Sequence, residues 1–294
     1  MKVFAAIILA TTLLWTLPAS AQDQPLRIFI SVDMEGIGGI GTSAMTGSKG
    51  KDYALGRTLM TEEVNSVVAA IFAAGPAEIL INDSHGDQRN LLHTTLDERV
   101  KYIQGDQKIF GMVQGLDETY DAAIFIGYHA RAGTERGFIA HTGSGAVKGL
   151  WLNGVEVGEG GMNAALAGAL GVPVILASGD DVFADQFAEL TGAITVTTKT
   201  AITANVAELI HPERVRERLA DATTFALDGL PEAELFTVGE PVTLRMRVDH
   251  TIRADILMAI PGMRRIDGVT LEYDGKDMLE VYPLIRLMYK FIKP

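Results

Sequence analysis

Leu26-Arg27-Ile28-Phe29-Ile30-Ser31-Val32, followed at once by Asp33-Met34-Glu35-Gly36, is the stretch that decides how this chain folds. A run so rich in β-branched and aromatic residues suits a strand buried on both faces, as in a parallel sheet. The acids that follow mark its carboxyl end. Gly36 to Gly50 is glycine-rich and reads as a loop. Asp52 to Ala74 then carries Leu55, Leu59, Val64, Val67, Val68, Ile71 and Phe72 at helical spacing and stops at Gly75-Pro76. The pattern recurs: Ala77 to Ile81 is a strand ending at Asn82-Asp83-Ser84-His85, and Ala122 to Ile126 a strand ending at Gly127-Tyr128-His129-Ala130.

Phe138 to Ala140, Leu150 to Leu152 and Val155 to Val157 have strand composition, the last two joined by an Asn153-Gly154 turn of hairpin type. Gly158 to Leu170 reads as a small-residue helix and Val172 to Ala177 as a strand opening onto Gly179-Asp180-Asp181. Strand and helix alternate to about Leu190, which predicts an α/β fold with a mostly parallel sheet covered by helices, its core at about 26–200. Helices near Glu213 to Ala220 and Lys276 to Ile292, with strands near Val242 to Val248 and Val269 to Tyr273, predict a smaller C-terminal α+β lobe at about 225–294.

Residues 1–21 have the layout of an export signal: Lys2, an apolar run from Val3 to Leu17, and Ala19-Ser20-Ala21 as a small-residue cleavage site. The run of about 15 residues is short of the roughly 20 that a membrane-spanning helix needs. The expectation is a chain exported to the periplasm or medium, with residues 22–294 as the mature catalytic domain and no membrane partner once the signal is removed. The chain contains no cysteine, so neither a disulfide framework nor a lipid-modified cysteine is available. Its formal net charge of -12 argues against nucleic acid as a partner.

Chemistry concentrates behind the strands, where an α/β protein builds its site. Asp33 and Glu35 lie two apart, so in extended backbone both point to one face with Cα atoms roughly 6.6 Å apart. Two carboxylates in one crevice repel unless something positive lies between them. His85 and His129 end the next two strands, Glu159 opens a helix, and His141 follows twelve residues after His129. Imidazole and carboxylate together are the ligand set of a hydrolytic zinc centre. Each residue alone has a plainer reading: solvated strand-end acids, a turn histidine with Asp83 as local cap, an interior histidine, and a carboxylate favoured by a helix dipole. Their shared placement points to a common site. His93, His211 and His250 follow no such signature and read as surface or structural histidines.

Ser31-Val32-Asp33-Met34-Glu35-Gly36, Asn82-Asp83-Ser84-His85, Gly127-Tyr128-His129-Ala130-Arg131-Ala132 and Val157-Gly158-Glu159 resemble the signatures of the DppA-like D-aminopeptidases, binuclear zinc metallopeptidases. The likeness extends to Gly56-Arg57-Thr58-Leu59-Met60-Thr61-Glu62-Glu63, Gly179-Asp180-Asp181 and Lys276-Asp277-Met278-Leu279-Glu280, in order along the mature chain. The resemblance implies that Asp33, Glu35, His85, His129 and Glu159 hold two zinc ions, with Asp33 bridging, and that His141 is the catalytic histidine. It implies release of N-terminal D-amino acids, such as D-Ala, from short peptides, and assembly into homodecameric rings. The mechanism expected from such a pair is attack by metal-bound hydroxide, with His141 as acid/base or oxyanion stabiliser.

Two other functions use similar residues. A dimetal phosphoesterase shares the ligand types, although Arg131 and Arg136 are the only nearby cations in the site stretches. An exported zinc-binding or solute-binding protein without catalysis would also fit, although solute binders usually have two similar lobes.

Overall fold

The computed structural model describes residues 24–290, so the expected export signal lies outside the described residues, as does the expected end of the last helix at Ile292. The strands are β1 (Leu26–Val32), β2 (Ala77–Asp83), β3 (Lys101–Ile103), β4 (Ala122–Tyr128), β5 (Val147–Leu152), β6 (Val155–Glu156), β7 (Val174–Asp180), β8 (Ile194–Thr203), β9 (Val206–Leu209), β10 (Val242–Val248), β11 (Arg264–Arg265) and β12 (Thr270–Gly275). The helices are α1 (Tyr53–Ala74), α2 (Glu159–Ala169), α3 (Asp181–Thr191), α4 (Pro212–Asp228), α5 (Thr251–Leu257) and α6 (Met278–Lys290). Among the described residues no helix is long and apolar enough to cross a membrane.

The main sheet has the order β3-β2-β1-β4-β7-β8-β9 and is parallel except for β9. Its centre is buried on both faces, and successive residues serve different cores. Ile28, Ile30 and Val32 of β1, with Ile124 and Ile126 of β4, pack with α1 and α4 residues such as Val64, Val68, Val215 and Leu219. Phe29 and Phe125 point the other way and pack with α2, α6 and a second sheet through Met162, Leu166, Leu244 and Tyr282. This two-sided burial is why the strands read as apolar runs rather than alternating ones.

The second sheet is antiparallel, in the order β11-β12-β10-β5-β6. The β5–β6 hairpin turns as expected through Asn153 (φ 47°) and Gly154 (φ 84°). The smaller lobe is therefore not a purely C-terminal piece. Its sheet takes β5 and β6 from the stretch assigned to the first 200 residues, while α4 packs against the main sheet.

One expected strand does not form. Phe138 to Ala140 is a turn in which Ile139 has a positive φ of 51° and Ala140 N–H reaches back to Gly137. Phe138, 1% exposed, plugs the α1/α4 core as a single side chain instead of pairing in a sheet. β8, β9 and α3 carry weaker apolar patterns and were not anticipated. The Asp180 side chain caps α3 by accepting from the Val182 and Phe183 N–H groups.

The order of the main sheet fixes where a site can be. From β1 the chain builds outward through β2 and β3, then crosses to β4 and builds the other way through β7 and β8. Beyond the carboxyl ends of β1 and β4 the connections part and leave a crevice.

Candidate metal centre

Asp33 follows β1 and His129 follows β4, so the two flank that crevice on neighbouring strands. Two glycines let the strand ends approach. A Cβ on Gly36 would overlap the Tyr128 carbonyl oxygen, and Gly127 sits at φ 73°, where a Cβ would run into Asp33 O and the Ile37 side chain. Glu35 is carried by the next residues of the β1 loop and His85 by the turn after β2. Glu159 opens α2, where the helix dipole favours a carboxylate.

The structure brings together all six residues singled out in the sequence. Asp33, Glu35, His129 and Glu159 are each under 5% exposed. His85 Nδ1 lies 3.0 Å from both Asp33 Oδ1 and Glu35 Oε2. His129 Nε2 lies 3.4 Å from Asp33 Oδ2 and 3.3 Å from Glu159 Oε2. Asp33 thus turns one oxygen toward each histidine. His141 Nε2 lies 3.5 Å from Glu159 Oε1, and its ring stacks on His129 with centroids 4.1 Å apart. Ligand atoms within 4.8 Å of one another occur in the sets Asp33–Glu35–His129 and His129–His141–Glu159.

The other nitrogen of each ring faces a backbone carbonyl: His85 Nε2 is 2.7 Å from Thr46 O, His129 Nδ1 3.0 Å from Ala130 O, and His141 Nδ1 2.9 Å from Ile139 O. A carbonyl can only accept, so these nitrogens carry the protons. In a neutral ring the remaining nitrogen then presents a lone pair, and on every ring it faces carboxylate oxygens. Lone pair against carboxylate is repulsive without a cation or an extra proton between them. Asp33 Oδ2, Glu35 Oε2 and His129 Nε2 are buried and have no hydrogen-bond partner among the described residues. Such a donor set fits metal ions, with the carbonyls as the outer contacts that orient each imidazole.

Ionisation agrees. Burial alone would raise the carboxyl pKa values, but the neighbouring imidazoles outweigh it: Asp33 and Glu35 are lowered and Glu159 is held at about 2. Burial alone would lower the imidazoles, yet Glu35 and Asp33 push His85, and Glu159 and Asp33 push His129, well above the usual range.

Two buried lysines escaped the sequence reading, since neither belongs to a strand-end signature. Lys199, on β8 and 0% exposed, donates to the carbonyls of Glu35 (2.6 Å), Ile37 (2.9 Å) and Ile40 (2.9 Å), which pins the loop that carries Glu35. Beside it, buried Glu63 accepts from Gly38 N–H at 2.6 Å. Burial pushes Lys199 down to about 7 and Glu63 up to about 8. Lys108 donates to Asn82 Oδ1 and Asp83 O, both at 2.7 Å, and secures the turn before His85. Asp83 is structural: it accepts from the Asn90 and Leu91 N–H groups and from Gln104 Nε2. Beneath the site a buried chain runs Ser31–Tyr128–Asn163–Tyr282.

The remaining histidines lie elsewhere in the fold; His211 caps α4 by accepting from Glu213 N–H. Arg131 pairs with Glu156 at 3.3 Å, and Arg136 reaches Ala201 O. Both cations considered for a phosphate ligand thus have partners within the protein.

Residues 26–287 match the D-aminopeptidase family, peptidase family M55. The chain is 35% identical over 265 residues to the D-aminopeptidase of Bacillus subtilis (strain 168), covering 90% of this chain and 96% of that protein. It is similar in structure, with a TM-score of 0.87, 35% identity, and coverage of 90% of this chain and 96% of the other, to the Zn-dependent D-aminopeptidase DppA from Bacillus subtilis, described as a self-compartmentalizing protease. With fold, sequence and strand-end geometry in agreement, this chain belongs to the D-aminopeptidase family and is a hydrolase acting on peptide bonds.

Proposed function

We propose that this chain is a zinc-dependent aminopeptidase that removes N-terminal D-amino acids, such as D-Ala, from short peptides. Asp33, Glu35, His85, His129 and Glu159 would hold two zinc ions, Asp33 turning one oxygen toward each of His85 and His129, and His141 would move the proton. The observation that carries this reading is the shared orientation of the histidines: each gives one ring nitrogen to a backbone carbonyl and turns the other to carboxylate oxygens.

When bound, the metal pair supplies Lewis acidity toward a peptide carbonyl and toward water. The protein supplies the rest. Glu35 and Asp33 hold His85, and Asp33 and Glu159 hold His129, in fixed orientations. The His141 side chain is 29% exposed, against 1% for His129, so it can reach a substrate atom. Its Nδ1 proton is committed to Ile139 O, which leaves Nε2 to take up and return a proton at the scissile nitrogen. Gly143 N–H, 2.5 Å from Glu159 Oε1, fixes that carboxylate beside His141.

The test is a metal assay joined to hydrolysis of paired D-Ala and L-Ala dipeptides. Two zinc equivalents and a preference for the D-peptide are expected. Zinc without hydrolysis of either peptide would leave a binding protein, and equal rates would remove the D-specificity. Export is proposed from residues 1–21, and N-terminal sequencing of the secreted protein should start near Gln22. Assembly into a closed ring is proposed from the self-compartmentalizing relative, and light scattering of the purified chain should give a decamer mass.

A further inference from the structure

The cavity over the carboxylate–histidine cluster has a volume of about 310 Å³. The last part of α6 contributes to its lining: Arg286, Tyr289 and Lys290 share the cavity with Asp33, His141 and Glu159. Arg286 is 4% exposed. Its Nη1 donates to Tyr289 Oη at 3.0 Å and its Nε to Lys108 O at 3.4 Å. Its Nη2 is buried and has no hydrogen-bond partner among the described residues; the nearest carboxylate oxygen, Asp106 Oδ1, stands 3.6 Å away. The same Asp106 oxygen is shared with Lys290 Nζ at 3.1 Å, which also donates to Gly86 O at 3.1 Å. Two cations therefore share one carboxylate on this wall, in a chain whose net charge is -12.

A buried guanidinium that shares its carboxylate with an ammonium leaves this wall short of negative charge. A guanidinium fork beside an ammonium matches a carboxylate. The same cavity holds the metal-ligand cluster, which suits the amino end of a short peptide. A space of about 310 Å³ accommodates a short peptide. We infer that Arg286 and Lys290 receive the free C-terminal carboxylate of a short peptide, so that this enzyme selects peptides that end in a free acid inside the cavity. The inference rests on the aminopeptidase reading above and adds to it a specificity determinant on α6. Tyr289 sets the position of this wall: its ring packs on Gly143, where a Cβ would meet it at 2.7 Å.

The experiment measures kcat and KM of the zinc-loaded full chain on D-Ala-D-Ala and on its C-terminal amide. The free acid should be favoured by about tenfold or more in kcat/KM, chiefly through KM, as for loss of one charged hydrogen bond. Lys290→Met, a change at a partly exposed side chain, should raise KM for the acid and bring the acid-to-amide ratio toward one. Arg286→Lys keeps the charge and loses the fork, and should move the ratio the same way. Equal use of acid and amide by the wild type, or a ratio unmoved in Lys290→Met, overturns the inference while leaving the aminopeptidase reading intact. Failure to hydrolyse either substrate overturns both.

Discussion

The two halves of the site stand on different supports. Asp33, Glu35 and His85 leave β1 and β2 on loops held by buried cations, Lys199 beneath Glu35 and Lys108 beside the His85 turn. His129, His141 and Glu159 sit where the main sheet meets the second one, held by a helix N-terminus, stacked imidazole rings and the Tyr289 ring on Gly143. Asp33 alone faces a histidine of each half, one oxygen to each. The first half therefore depends on buried lysines, the second on ring packing and a helix N-terminus. On the proposal of two zinc ions, a site built this way should come apart unequally.

Asp33→Ala offers the most severe break, because it touches both halves. Zinc content should fall by more than one equivalent, and activity by at least about 10³-fold, the scale of several kcal/mol of lost transition-state stabilisation. Glu35→Ala and Glu159→Ala should each cost a single equivalent; equal damage from all three by metal analysis would deny Asp33 its shared place. His141→Ala should lower kcat by about 10²–10⁴-fold with zinc content unchanged. Loss of zinc in that variant would move His141 into the ligand set, beside His129 and Glu159.

Lys199→Met sharpens the contrast further. It removes the donor from three carbonyls of the Glu35 loop, so chelator competition should show one zinc bound about 10–100-fold more weakly and the other unaffected. Equal weakening of both would show that the halves are not independently supported.

The smallest effect expected is a pH dependence of stability, from Glu63. Burial raises its folded pKa to about 8 from an ordinary 4.5, so the folded state holds the proton longer than the unfolded state. Stability from this group is complete below about pH 4.5 and is lost as pH rises through about 8. Glu63→Gln cannot lose it. Its melting temperature relative to wild type should climb between those pH values and level off above, and a constant difference would show that Glu63 is ionised in the fold throughout.

Much of this site was legible because its residues follow strong strand signals. Buried parallel strands announce themselves as apolar runs, and a polar residue that ends such a run lies beyond the strand's carboxyl end. Hence β1, β2 and β4 were readable, and with them Asp33, His85 and His129. Phe138 to Ala140 misled because three apolar residues have the same composition whether they pair or plug a core; the positive φ of Ile139 decides between them. β8 was missed because threonines and a lysine interrupt it. That lysine, Lys199, can be buried because three carbonyls from residues more than 150 positions away accept its hydrogen bonds.

By itself the sequence determined the parallel core, the hairpin at Asn153-Gly154 and the candidate ligands, since each is encoded by neighbours a few residues apart. Tertiary structure alone decided that the second sheet recruits β5 and β6, that Asp33 stands between two histidines, and that Arg286 and Lys290 line the same cavity as those ligands. Those facts depend on which distant segments share a volume, and local propensity carries no record of that.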